Sequence, residues 1–197
     1  MIINTKTLIT LMFIFFCFSK STFAWQEGAG YLRLNAMLDR PQDGYCLDVA
    51  GSGNWVDLTV PLNVHNCKGP HFYADEAVIF DNKTNTIRFP AYDACVTSLG
   101  RDGRSLPKTP LILRPCAHNP KTRQSPFHPA NLQSFIHRRD GRIELKNTNL
   151  CLTAGNVSDV TFSPDHKWRA LYLDTCSIAP KKLSVWKAFQ PRRSAIK

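Results

Sequence analysis

Six of the seven cysteines in this 197-residue chain fall into three pairs at a near-constant spacing. They are Cys46 and Cys67, Cys95 and Cys116, and Cys151 and Cys176. The separations within pairs are 21, 21 and 25 residues. The pairs open roughly fifty residues apart, and such a period signals one supersecondary unit copied three times. Three similar units also present three equivalent places where a site can be built, so their residues can be compared position by position.

Compartment decides what the cysteines are. Residues 1–24 carry Lys6, an apolar run from Leu8 to Phe18, and then Thr22-Phe23-Ala24 before Trp25. A basic start, a short apolar core and small residues at the cut predict a secretory signal peptide, with residues 25–197 as one exported domain. The run is short for a membrane span. No later segment is long and apolar enough to cross a bilayer, and Cys17 lies inside the apolar core rather than at a lipidation site. In an oxidising space six remaining cysteines are expected to be paired. Counting alone leaves the connectivity open. The repeat predicts nearest-neighbour pairing, Cys46–Cys67, Cys95–Cys116 and Cys151–Cys176, each worth about 3 kcal/mol of unfolded-chain entropy.

No metal or cofactor is expected. There is no Cys-x-x-Cys, and His65, His71, His118, His128, His137 and His166 form no short-spaced cluster. His118, two residues after Cys116, is the nearest approach to a ligand pair. Metalloprotease, nucleophile-elbow and phosphate-loop motifs are all lacking, which argues against an enzyme.

Thirteen prolines and ten glycines punctuate short β-branched and aromatic runs. That pattern predicts an all-β chain with few, short helices. Each unit opens with a cysteine strand: Tyr45–Val49, Ala94–Ser98 and Leu150–Ala154. A second strand ends on the partner cysteine, at Leu62–Cys67, Leu111–Cys116 and Leu171–Cys176. A third follows at Glu76–Phe80, Gln133–His137 and Ser184–Ala188. Turns at Asn82 to Asn85 and at Asp140-Gly141 lead to a fourth strand carrying Ile87 or Ile143, eight residues before the next cysteine. The units span about residues 45–93, 94–149 and 150–190. Unit three has no room for a fourth strand. Leu38 also lies eight residues before Cys46, so residues 31–38 are expected to complete unit three and to remove the free sheet edges.

Cys46-Leu47-Asp48-Val49, the paired cysteine some twenty residues on, the Gln133-Ser134-Phe135 triplet and the Ile-Arg strand together resemble the ricin-type lectin repeat. The resemblance covers residues 45–190. Ser184-Val185-Trp186 keeps only the Trp of that family's Gln-x-Trp signature, and Glu76-Ala77-Val78 keeps neither residue. The resemblance implies a β-trefoil of three four-strand units with a hairpin cap. It also implies a carbohydrate-binding module for galactose-like sugars. In such a pocket a first-strand carboxylate accepts two hydroxyls, a second-strand aromatic stacks on the ring, and an amide completes orientation.

Carried onto this chain, the pattern places Asp48, Asn63, His65 and Asp75 in unit one. The matching residues are Thr97, Ile112, Arg114 and Leu132 in unit two, and Thr153, Tyr172, Asp174 and Leu183 in unit three. Only unit one keeps the first-strand carboxylate, so one sugar site is expected there. An Asp in this place can also simply satisfy turn amides.

Asn82-Lys83-Thr84 and Asn156-Val157-Ser158 match the N-glycosylation pattern. The chain carries a formal charge of +10. Its basic pairs, Arg138-Arg139, Lys181-Lys182 and Arg192-Arg193, are scattered, which reads as a solvated surface rather than a nucleic-acid footprint. Insertions occur at Lys121–Ala130, with Phe127, and at Phe162–Trp168. The alternative to a lectin is a non-catalytic cell-binding subunit of a multi-part toxin or adhesion complex, with eroded sugar sites and a protein partner. The cell-binding subunits of cytolethal distending toxins resemble this chain in that way.

Overall fold

The computed structural model describes residues 28–69, 72–117 and 130–191. The expected signal peptide, all but Ala130 of the Lys121–Ala130 insertion, and Arg192-Arg193 lie outside the described residues.

Unit one holds β2 (Tyr45–Asp48), β3 (Asn63–Asn66), β4 (Ile79–Asp81) and β5 (Thr86–Phe89). Unit two holds β6 (Ala94–Ser98), β7 (Leu111–Pro115), β8 (Phe135–His137) and β9 (Ile143–Leu145). Unit three holds β10 (Leu150–Ala154), the short β11 (Asp159–Val160), β12 (Lys167–Thr175) and β13 (Trp186–Phe189). β1 (Tyr31–Leu34) pairs antiparallel with β13, from Tyr31 opposite Phe189 to Leu34 opposite Trp186. The only α-helix among the described residues is a single turn, α1 (Lys181–Ser184). The architecture is an all-β trefoil with one disulfide per unit, and the three disulfides join the expected partners with Cα separations of 4.9, 5.0 and 4.9 Å.

The three units repeat in register. Arg88 lies opposite Cys95 and Glu144 opposite Cys151, while Arg33 lies opposite Cys46. The place of Ile87 and Ile143 is therefore taken by Leu32, not by Leu38 as the eight-residue spacing predicts. The connection from β1 to β2 is longer than its two counterparts. Leu38 sits inside it with φ 53°, outside any strand.

Two sets of contacts tie the units about the pseudo-threefold axis. The second strands meet one another. β12 pairs with β3, Pro110 bridges Tyr172, and the Leu62 N–H donates to the Leu111 carbonyl at 2.8 Å. The hairpins meet in the same cyclic way, through Gly30 with Val78, Asn85 with Phe135, and Gly141 with Trp186.

Strand periodicity divides each unit into two faces. Tyr45, Leu47 and Val49, Ala94 and Val96, and Leu150, Leu152 and Ala154 all enter one hydrophobic core. The second strands send in Leu62 and Val64, Leu111 and Leu113, and Leu171 and Leu173. The alternate positions hold Cys46 and Asp48, Cys95 and Thr97, and Cys151 and Thr153. They face away from that core and are closed over by the third segment of each unit. Trp186, the largest fully buried side chain, anchors unit three by donating its Nε1–H to the Leu152 carbonyl at 2.9 Å.

Candidate functional site

The register confirms which residues are equivalent across units. Asp48 pairs with Asn63, Thr97 with Ile112 and Thr153 with Tyr172. One step along, Cys46 pairs with His65, Cys95 with Arg114 and Cys151 with Asp174. The covering residues are Asp75-Glu76, Leu132-Gln133 and Leu183-Ser184.

Unit two shows how this layer is satisfied by neutral groups. Gln133 is fully buried. Its Oε1 accepts from the Ala117 N–H at 2.6 Å. Its Nε2 donates to Thr97 Oγ1 at 2.9 Å and to the Pro115 carbonyl at 3.0 Å. Every polar atom of that amide has a partner, as burial demands.

Unit one keeps the same frame and changes the chemistry. Glu76 replaces the glutamine, Asp48 replaces the threonine, and Lys68 stands where Ala117 does. Glu76 Oε2 accepts from the Lys68 backbone N–H at 2.9 Å, as Gln133 Oε1 does from Ala117. The Lys68 ammonium reaches in between Asp48 Oδ2 at 2.8 Å and Asp75 Oδ2 at 2.7 Å. Asp48 is 2% exposed, Asp75 4% and Glu76 0%. Two of the three buried carboxyl groups thus share one ammonium, and the third holds the same lysine's backbone N–H.

Among the described residues, four acceptor oxygens in this cluster have no hydrogen-bond partner: Asp48 Oδ1, Asn63 Oδ1, Asp75 Oδ1 and Glu76 Oε1. Where Gln133 presents an amide N–H, Glu76 presents an oxygen, so a proton must be supplied there or the oxygens repel. Burial and then the Asp48 charge push Glu76 well above the usual carboxylate range. Burial raises Asp48 to about 8, although Lys68 opposes the shift. Burial works against the Lys68 ammonium, but Asp48, Glu76 and Asp75 outweigh it and raise its pKa. The cluster at neutral pH is therefore a charged lysine beside two acids, Asp48 and Glu76, that are both shifted toward their protonated forms.

His65 is buried, and burial followed by the Lys68 charge lowers its pKa to about 4, so its ring is neutral. Its Nδ1 lies 3.0 Å from the Asn66 carbonyl and 3.9 Å from Asp48 Oδ2. The ring lies tilted against His166 at 5.5 Å, and His166 lies tilted against Phe162 at 4.4 Å. The platform expected at His65 is thus lined up with two aromatic rings from the insertion of unit three. Asp48, His65 and Glu76 also place potential metal-ligating atoms within 4.8 Å of one another, a convergence the sequence spacings do not show. With Nδ1–H donating to the Asn66 carbonyl, Nε2 is the His65 atom left with a lone pair.

The structure brings all four expected residues together, and it adds Lys68 and Glu76. The sequence pattern did not single out Lys68, and it marked Glu76 only as a departure from the signature glutamine. In unit three the Thr153 hydroxyl donates to the Cys151 carbonyl at 2.8 Å. Asp174 is bound there by Lys108 of unit two, whose ammonium also lies 4.6 Å over the Tyr172 ring.

No family profile matches the sequence, and no curated protein matches it. The fold has solved counterparts. One is the solution structure of an mdaA-1 domain, at 15% identity and a TM-score of 0.55, covering 84% of this chain and 91% of that one. Another is the agglutinin of Abrus precatorius, at 16% identity and a TM-score of 0.53, covering 82% of this chain. This chain spans 48% of the agglutinin chain, about half its length. At these identities the likeness concerns the fold, a trefoil shared with a lectin.

Proposed function

We propose that the protein is a secreted, non-catalytic carbohydrate-binding module whose sugar pocket is in unit one. The observation that carries this reading is the set of unpartnered acceptors on Asp48, Asn63 and Asp75, which has no counterpart in the other two units among the described residues. Acceptors without donors call for a ligand rich in hydroxyl groups. A galactose-like ring offers neighbouring hydroxyls to one carboxylate, and each bond to a charged group is worth about 1.5–3 kcal/mol. The trefoil shared with an agglutinin supports the same reading.

Lys68 sets how the pocket opens. Its ammonium occupies the space between Asp48 and Asp75, and its side chain is largely buried, with 14% of its surface exposed. A sugar enters when that chain swings outward, so binding is weak, with a dissociation constant of roughly 0.1–1 mM, or about −4 to −6 kcal/mol. Glycan-array binding and calorimetry on folded protein test the proposal. Asp48→Ala abolishes most binding, while Thr97→Ala and Thr153→Ala keep it. Full binding by Asp48→Ala removes unit one as the sugar site.

A second reading rests on a different observation. The exposed large apolar residues concentrate in the connections between first and second strands: Trp55 at 87%, Leu58 and Val60 in unit one, Leu99 and Leu106 in unit two, Val157, Val160 and Phe162 at 82% in unit three. The second strands that these connections feed meet around the axis. Apolar groups gathered in that way favour a protein partner, as in a multi-part toxin or adhesion complex. Co-purification of a defined partner that Trp55→Ser and Phe162→Ser release supports this reading; a monomer with no partner speaks against it.

A further inference from the structure

A concavity lies between units one and two, and its chemistry is opposite to that of the unit-one carboxylate cluster. It is a groove of about 660 Å³ formed by the β4–β5 turn, the β6–β7 connection, the segment before β8 and the β9–β10 turn. Lys83, Arg104 and Lys146 line it, and no acidic side chain does among the described residues. None of the three cations makes an ion pair among the described residues, whereas Lys68, Lys108, Lys167 and Arg169 are all paired. Asp81, close by in sequence, is not among the lining residues and is held by the turn: it accepts from the Lys83 N–H at 2.8 Å and from Thr84 Oγ1 at 2.8 Å.

We propose that this groove binds an acidic saccharide, one bearing sulfate or carboxylate groups. The groove is built, not incidental. Gly103, at φ 72°, brings its backbone against Asn131, whose Nδ2 is 3.1 Å from where a Cβ would stand. The Lys146 N–H donates to the Ser134 carbonyl at 2.8 Å and fixes the far wall. Unpaired cations in a concavity focus an attractive field on an anion. The amides of Asn131 and Asn147 and the hydroxyl of Ser134 suit a ligand with many hydroxyl groups. The volume is that of a site for a ligand of more than one oxyanion. No aromatic side chain lines it among the described residues, which argues against nucleobases, since these need a stacking surface, and against a neutral sugar held by ring stacking. The site shares no residue with the unit-one pocket, so it stands or falls independently of that reading.

The test is calorimetry of the exported chain with a sulfated glycosaminoglycan hexasaccharide, its desulfated counterpart and inorganic sulfate. The sulfated hexasaccharide binds the native protein, the desulfated one binds at least about tenfold more weakly, and inorganic sulfate does not saturate the site in the same range. Lys83→Ser/Arg104→Ser/Lys146→Ser weakens binding by about tenfold or more at low salt. Asp48→Ala leaves it unchanged. A charge-matched control, Lys181→Ser/Lys182→Ser/Lys187→Ser, also leaves it unchanged. Equal loss in the control means diffuse attraction and overturns the proposal, as does equal binding of the desulfated hexasaccharide. Loss in Asp48→Ala overturns it by moving the ligand to unit one. Amide shifts confined to Lys83, Gly103, Asn131 and Lys146 on titration of the native protein confirm the site without any variant, and shifts elsewhere refute it.

Discussion

Units one and two carry the same layer beneath their second strands, and they satisfy it with different chemistry. In unit two Gln133 offers a donor and an acceptor, Thr97 supplies a hydroxyl, and Ala117 contributes only its backbone. In unit one Glu76, Asp48 and Lys68 hold the same three places. The neutral set is complete in itself at any ordinary pH. The charged set is complete only with protons or with groups brought from outside. One frame can thus be a neutral structural layer in one copy and a titratable cluster in another, and the difference lies in which atoms can donate.

The largest expected effect comes from removing the ammonium that unit two never needed. Lys68→Met leaves three buried carboxyl groups without their counter-charge and destabilises the protein by about 3–5 kcal/mol at neutral pH. The equivalent change in unit two, Ala117→Met, has no charge to remove. Denaturant melts at pH 7.5 measure both. The loss in Lys68→Met shrinks at pH 5 as the acids protonate; a loss independent of pH shows that Lys68 acts only by packing.

Next is the pH profile. Asp48 and Glu76 have raised folded-state pKa values. A carboxyl of this kind binds its proton more tightly folded than unfolded, so its contribution is full below the unfolded pKa of about 4 and is lost as pH rises through the folded value, which for Asp48 is about 8. The native protein is therefore less stable at pH 8 than at pH 5, on the order of 2–4 kcal/mol after allowance for the shared lysine. Glu76→Gln supplies the missing donor, flattens the profile and raises stability at pH 8. A flat profile in the native protein refutes the shared-proton account. At the acid end Asp39 acts in the opposite sense. Its partial burial would raise its pKa, but hydrogen bonds from Arg169, Lys167, Ser158 and Tyr45 hold it far below the usual carboxylate range. Its contribution is lost as pH falls.

The reciprocal exchange is smaller. Gln133→Glu places an acid opposite Thr97 and the Pro115 carbonyl, costs about 1–3 kcal/mol at pH 8, and gives unit two the pH dependence of unit one. If Gln133→Glu melts identically at pH 5 and 8, position in the layer is not what sets the proton affinity. Smallest is Thr97→Val, which removes one of the three bonds to Gln133 and costs about 1 kcal/mol by thermal melt.

Much of this could be read along the chain. The cysteine spacing marks the units, and the alternation in Cys46-Leu47-Asp48-Val49 assigns Leu47 and Val49 to the core and Asp48 to the other face. The equivalence of Asp48, Thr97 and Thr153 holds because strand pairing copies the register with the cysteines. Leu38 misled, since an identical spacing to Cys46 arises from a longer connection while Leu32 fills the core position. The role of Glu76 was hidden as a mere departure from a signature, because a sequence does not show whether an acid at that position faces water or three neighbours.

What the sequence by itself determined is what depends on period and local chemistry: three copies, three crosslinks, strands of alternating faces, and one copy with a first-strand carboxylate. The tertiary structure alone decided which groups share a dielectric. Lys68 reaches Asp48 and Asp75 across different segments, His65 meets His166 of another unit, and Lys83, Arg104 and Lys146 converge from three separate turns. Side-chain period is set by adjacent residues, but desolvation and Coulomb energy depend on distances in space, and those exist only once the three units have closed around their axis.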